Sequence, residues 1–524
     1  MKISKDYFGY LAKNYPVMCL SDEFYFFPRA KEAARFLNHL DSLDEEKIKQ
    51  DVAYVKKLKS SLEKLDSEDM GLEAQIDLRL LSQSMDTFLR EFGQIKIWQV
   101  DPSLYLKIAL LGIDQLLKKS FSLRADIDDC LRDRISQTPR LLNEAKNNLK
   151  KIPRAYLDVS IEVVEASINY FKATAFSPKV HSLVKMTLKS LEDFKRFLKK
   201  RPSSAVFMRD RRIIESILKD SFSYNRTLEE IFEIASLEYA RTLKELERIA
   251  KKVDSKKSWQ EILSSYKMDI KKPDEFLRLY SCEIRRLKDF FTKNDVFNIK
   301  KTQDIKVRFT PQFMEPIRAS ASYNSPVTND MKEPAYFYIS GDVRENRDLH
   351  NEYIFVSAHE TYPGHHLLDS IRRKMTNPIR QQIESPLFYE GWASYAESLI
   401  SHLGYIKDPL HKMLGLKRQA WRTVRAMLDV GIRINSLKFE DAENLLKGLG
   451  YAPKIARFMF RHYALSPGYQ LCYTIGKFEI DKLKEKFSSR LGLRGFHDFL
   501  LQGGQIPFDL IEQRMEKELC KDHS

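Results

Sequence analysis

Several things are scarce in this 524-residue chain, and each shortage removes a class of protein. Cysteine occurs five times, an odd number, as Cys19, Cys130, Cys282, Cys472 and Cys520. None stands at metal or redox spacing from another, so no disulfide framework is implied and buried free thiols are expected. Glycine and proline number only 18 and 19, against 43% hydrophobic and 31% charged residues, a balance that favours helices over sheets. No apolar stretch approaches a membrane span. The opening run MKISKDYFGYLAKNYPVMCL holds no continuous apolar core followed by a small-residue cleavage site. A cytoplasmic location without a membrane partner is therefore expected. There is no fixed-period repeat and no Gly/Ser linker. The chain exceeds the usual single-core size, so two lobes are expected that share packing rather than hang separately.

Acidic residues are the minority charge, 73 against 88 basic ones, which leaves a formal net charge of +15. Such an excess attracts phosphate backbones. Here the basic residues alternate with acidic ones on amphipathic helices, as Lys244, Arg248, Lys251 and Lys252 do with Glu245 and Glu247. No nucleic-acid motif accompanies them. Solvated helix faces are the better account, and no nucleic-acid partner is expected.

Apolar spacing of three and four runs through residues 30 to 95 and 120 to 255, for example at Leu142, Ala145, Leu149 and Ile152, and predicts long helices. Extended segments are predicted near Asp304 to Thr310 and Ala335 to Gly341, with Pro311, Pro316 and Pro326 between them. The second lies shortly before the most distinctive motif, and reads either as a sheet edge that binds an extended peptide or as a core strand. The organisation is thus a helical region over 1–300, a short strand region over 301–345 and a second helical region over 346–524.

What is present is concentrated in His359-Glu360-Thr361-Tyr362-Pro363-Gly364-His365-His366, which holds three of the eleven histidines and a carboxylate in eight residues. Neutral imidazoles are good zinc ligands, and a glutamate directly after the first is placed to take a proton from a metal-bound water. In the helical signature H-E-x-x-H the two histidines share one face. Here His365 lies six residues after His359, roughly 240° further round a regular helix. Pro363 lacks the N–H for that turn and clashes with it, so the turn bulges or breaks. Gly364 tolerates the result. With two residues looped out, His365 takes the place of the second histidine. His366 is the lesser candidate.

A catalytic zinc site needs a third protein ligand and keeps one position for water. Glu390 is the candidate, on a helix predicted to start at Ser385 and Pro386. Glu390, Ala393, Ser394 and Glu397 share one face, with Trp392, Tyr395 and Leu399 on the other. Glu397 reads either as an acceptor that orients a ligand imidazole or as a surface glutamate.

The segments HETYPGHH, FYEGWASYAE and LSPGYQLCYTIG, in this order, resemble the bacterial family catalogued as domain of unknown function 885. IWQVDPSLYL near the N-terminus is similar to it as well. That family looks like a distant relative of gluzincin-like helical zinc peptidases such as the thimet oligopeptidase and carboxypeptidase Taq families. The resemblance implies a mainly α, two-lobed metallopeptidase-like fold with a small β-sheet next to the metal helix and a deep central cleft. It also implies His359, His365 and Glu390 as ligands of Zn2+, Glu360 as general base, and Tyr473 as a late tyrosine that hydrogen-bonds the oxyanion. An ordinary half-buried tyrosine is the other reading of Tyr473. Two departures are visible. Tyr469 stands where Pro-Gly-Gln is expected, and Arg433 where a histidine is expected after Asp429-Val430-Gly431-Ile432. Both are expected to leave the metal set untouched.

The expected function is zinc-dependent hydrolysis of a short peptide or other small amide, with a metal-activated water and Glu360 as base. Arg422 and Arg425 are weaker candidates for holding an oxyanion or a substrate carboxylate, or else are ion-pair partners. The alternatives are a hydrolase of a non-peptide amide or ester, and a non-catalytic helical binding protein with a structural metal. Retention of Glu360 beside His359 argues against the last.

Overall fold

The computed structural model describes residues 2–521 apart from 66–69, 120–126, 175, 205–210, 267, 269, 271, 298, 300–301, 317, 327–332, 341–346 and 464–465. The start of the second helical stretch and Gly341 lie outside the described residues. The protein is mainly helical with small sheets.

In the N-terminal region α1 (Pro102–Lys119), α2 (Ile127–Asn148), α3 (Arg154–Ala173) and α4 (His181–Lys199) pack on one another. The Asp101 carboxylate starts α1 by accepting from Ser103 N at 2.8 Å. In α2, Leu142 and Ala145 are buried as their spacing predicts, but the helix stops at Asn148. Leu149 and Ile152 therefore lie beyond it, though both are buried. The reason is local. Ile152 precedes Pro153, which disfavours helical geometry, and Asn148 turns its amide to Leu43 O at 2.6 Å. The long helix α5 (Leu228–Val253) opens with a capping box between Thr227 and Glu230. It exposes Lys244, Arg248, Lys251 and Lys252 to solvent.

The strand region forms a three-stranded sheet from β1 (Ile305–Phe309), β2 (Ala321–Asn324) and β3 (Ala335–Ile339), in the order β1-β3-β2. β3 runs parallel to β1 and antiparallel to β2, and Phe337 pairs with both Val307 and Tyr323. All five of its residues are buried. β3 is therefore the central strand and not a peptide-binding edge. β1 and β2 are the edges, and β2, which the propensities did not predict, lies against the helix that carries Glu360.

Five helices then build the site: α6 (Tyr353–Glu360), α7 (His365–Arg372), α8 (Pro386–His402), α9 (Pro409–Gly431) and α10 (Cys472–Gln502). α5 lies along α9, and α8 along α10. The α8–α10 crossing depends on two glycines. A Cβ on Gly476 would lie 2.0 Å from Leu387 O, and one on Gly391 would lie 2.5 Å from Gly476 Cα. Contacts also cross residue 300: Arg29 N donates to Gln382 O at 2.7 Å, and Arg380 meets Asp77 at 2.8 Å. Only Cys19 and Cys472 are buried thiols, while Cys130 and Cys282 are half-buried and Cys520 is exposed. Among the described residues no helix is long and apolar enough to cross a membrane.

Candidate metal centre

The break between His359 and His365 is complete. α6 ends at Glu360, Thr361 leaves helical geometry at φ −125°, ψ −95°, and α7 starts afresh at His365. Gly364 N reaches back to Ala358 O at 2.9 Å, and a Cβ there would sit 1.8 Å from His359 O. Glycine is required by close approach. The Trp392 indole of α8 donates to Pro363 O at 2.8 Å and fixes this loop against the helix that carries Glu390.

The result brings His359, His365 and Glu390 together, with ligand atoms within 4.8 Å of one another and all three side chains buried. Nε2 of His359 lies 3.4 Å, and Nε2 of His365 3.5 Å, from Glu390 Oε2. Four-coordinate zinc with bonds near 2.0–2.1 Å places neighbouring ligand atoms about 3.3 Å apart, so these separations suit a shared metal. Glu390 Oε2 is buried and accepts no hydrogen bond. Burial would raise the Glu390 carboxyl, but the two imidazoles facing it outweigh burial and hold it well below the usual range. His366 is turned away. Its Nε2 lies 3.0 Å from Gln303 O, and burial lowers its pKa to about 4.

Glu397 is buried, at 5% exposure, and so is not a surface glutamate. Its Oε1 lies 3.1 Å from His359 Nδ1, and Arg418 and Arg422 hold the same carboxylate at 3.0 and 2.5 Å. Arg422 Nη2 also lies 3.2 Å from His359 Nδ1, so Nδ1 is held by Glu397 and Arg422 together and Nε2 faces the cluster. Arg422 is thus an ion-pair partner. Arg425 differs: its Nε and Nη2 bond the neutral Gln470 at 2.9 and 2.6 Å, and it packs 4.0 Å over the Tyr473 ring. Tyr473 in turn stacks on His359, ring centres 6.2 Å apart. Glu360 is 8% exposed, and its Oε2 accepts from Tyr323 N of β2 at 2.6 Å. Burial pushes its carboxyl up to about 7, with the Glu390 and Glu397 charges adding to this and the His365 imidazole opposing it.

The expectation that both departures spare the metal set fails at Tyr469. Its hydroxyl donates to Glu390 Oε1, the other oxygen of the candidate ligand. Arg433 acts one step behind, pairing with Asp429 at 3.0 Å. Asp429 accepts from Gly468 N and Gln470 N, both at 3.0 Å, and from Leu471 N at 3.3 Å. It thereby anchors the turn that presents Tyr469 and Tyr473, with Gly468 at φ +82°. Sequence reasoning assigned Asp429 no role. The available signal was Pro467-Gly468, a turn whose buried N–H groups need an acceptor.

A family model described as "Bacterial protein of unknown function (DUF885)" matches residues 30–515. The chain belongs to this family. No curated protein matches it. Two solved structures are similar to this DUF885 chain along its whole length. One is "a putative lipoprotein of unknown function from Shewanella oneidensis", 19% identical over 98% of both chains, with a TM-score of 0.75. The other is "the putative lipoprotein from Colwellia psychrerythraea", 16% identical over 99% of both chains, with a TM-score of 0.81. At these identities the likeness is one of fold.

Proposed function

We propose that this DUF885 chain is a zinc-dependent hydrolase, a metallopeptidase of short peptides, in which His359, His365 and Glu390 hold the ion. The observation that carries the reading is Glu390 Oε2, buried without a hydrogen bond and faced by two imidazole nitrogens at 3.4 and 3.5 Å. Two imidazoles, one carboxylate and an open position are the donor set of a catalytic zinc, which supplies an acidified water and a Lewis acid for the substrate carbonyl. Glu360 accepts the proton of the attacking water and returns it to the leaving amine. The Tyr323 N–H on Oε2 orients this carboxylate. The Tyr473 hydroxyl serves the developing oxyanion. Arg425 has no carboxylate partner among the described residues, so it suits a substrate carboxylate, whereas Arg422 is committed to Glu397. A two-lobed architecture with a deep central cleft, and a cytoplasmic setting for the free thiols, belong to the same reading.

The test is a peptide-library and small-amide hydrolysis screen on protein of measured zinc content, run beside Glu360→Gln. The proposal expects a peptide substrate for the wild type, and a zinc-loaded, folded Glu360→Gln protein with turnover reduced by orders of magnitude. Unchanged turnover in that variant would exclude Glu360 as base. Hydrolysis of esters or non-peptide amides alone would replace the peptidase reading.

A further inference from the structure

A second cluster of charge, which the hydrolase reading does not use, lies where the N-terminal segment meets α7. Arg29 and Lys31 from that segment, and Arg372 and Arg373 from the end of α7, line one cavity together with Ser325 and Gln381. It is a small recess of about 30 Å³ that opens to solvent. Arg372 and Arg373 are 4% and 7% exposed. Four guanidinium nitrogens here, Arg29 Nη1, Arg372 Nε, Arg373 Nε and Arg373 Nη2, are buried without a hydrogen-bond partner. Charged donors are rarely left so, because an unmet buried donor forfeits its whole hydration.

The local carboxylates do not balance this charge. Glu384 lies 3.8 Å from Arg29 Nε and 3.2 Å from Arg372 Nη2, and Asp369 pairs with Arg372. Asp369 also accepts from the Tyr323 hydroxyl and from Ser325 Oγ, each at 2.8 Å. Arg373 Nη1 donates to Pro326 O at 2.6 Å, a neutral acceptor. Three guanidiniums and one ammonium therefore face Glu384 and Asp369, with Glu32 beside Cys19 as a third carboxylate, and the cluster keeps a positive excess. One acceptor on the same wall, Gln381 Oε1, is also without a partner.

We propose that this cavity binds a divalent tetrahedral oxyanion, with inorganic phosphate as its ligand. Guanidinium forks suit phosphate oxygens, and an anion offsets the positive excess. Hydrogen phosphate also carries one O–H, which satisfies Gln381 Oε1. Bound there, it bridges Arg29 and Lys31 to Arg372 and Arg373, and so ties the N-terminal segment to the helix that begins with His365.

The test is calorimetric titration of the full-length chain with sodium phosphate, in chloride buffer at constant ionic strength, beside thermal melts. One site per chain is expected, with the melting temperature raised by about 2 °C at a hundredfold excess over the dissociation constant. Arg373→Gln should weaken phosphate binding at least about tenfold. Lys31→Gln, an exposed position whose loss spares the fold, should weaken it by about threefold. Absence of both heat and melt shift in the wild type would overturn the proposal. So would wild-type phosphate affinity in both variants, since the anion would then sit elsewhere, the metal centre included.

Discussion

Tyr469→Phe removes one hydroxyl and isolates the contact that sequence reasoning missed. The hydroxyl donates to Glu390 Oε1, and the carboxylate is 5% exposed. The ring keeps its contacts with Tyr25 and Tyr473, whose centres lie 5.4 and 6.0 Å away. Two effects oppose. The donor draws charge from the ligand, which weakens a metal bond, but it also fixes which oxygen faces the imidazoles. Burial makes the second larger, because Oε1 would otherwise be left unmet. A hydrogen bond to a charged group is worth about 1.5–3 kcal/mol, and each 1.4 kcal/mol is about tenfold in affinity. Zinc affinity should therefore fall by about 10- to 100-fold, the range typical for a partner that orients a metal ligand. The assay is competition against a chromophoric chelator, beside a thermal melt of the metal-loaded protein. Zinc affinity within twofold of wild type, with an unchanged melt, would refute the reasoning.

Tyr473→Phe should act differently, lowering the turnover number by up to about a hundredfold while zinc content and melting temperature stay unchanged; full activity would show the hydroxyl idle. Gly476→Ala forces α8 and α10 apart, because the new Cβ would meet Leu387 O at 2.0 Å, and should cost about 1–3 kcal/mol in a denaturant titration. His497 is held neutral: Nδ1–H donates to Val296 O at 3.1 Å, Nε2 accepts from the Tyr395 hydroxyl at 2.8 Å, and burial lowers its pKa from 6.5 to about 4. Its folded value lies below its unfolded one, so its contribution is complete above pH 6.5 and is lost as pH falls toward 4, by roughly 3 kcal/mol. Melting temperature against pH should flatten over that window in His497→Gln, and parallel curves would contradict the assignment.

The cluster of His359, His365 and Glu390 was legible because its pattern is local. HETYPGHH carries its own break at Pro363 and Gly364, and FYEGWASYAE places Glu390 and Glu397 two helical turns apart on one face. The helical class followed equally from composition and period. Strand order was not legible, because pairing Val307 with Phe337 in parallel and Tyr323 with Phe337 antiparallel is decided by long-range packing that propensity does not encode. The role of Tyr469 was hidden for the same reason. Only the Gly391–Gly476 crossing and the Asp429 anchor bring residue 469 to residue 390. Arg422 and Arg425, equivalent as sequence, separate once Glu397 is seen to hold one and not the other.

The central claim is that His359, His365 and Glu390, and not His366, hold zinc. Metal analysis of wild type, His365→Ala and His366→Ala, each purified without added metal and checked for a folded circular-dichroism spectrum, tests it most directly. The account predicts about one zinc per chain in the wild type and in His366→Ala, and its loss in His365→Ala. Wild-type zinc in His365→Ala together with loss in His366→Ala would contradict it.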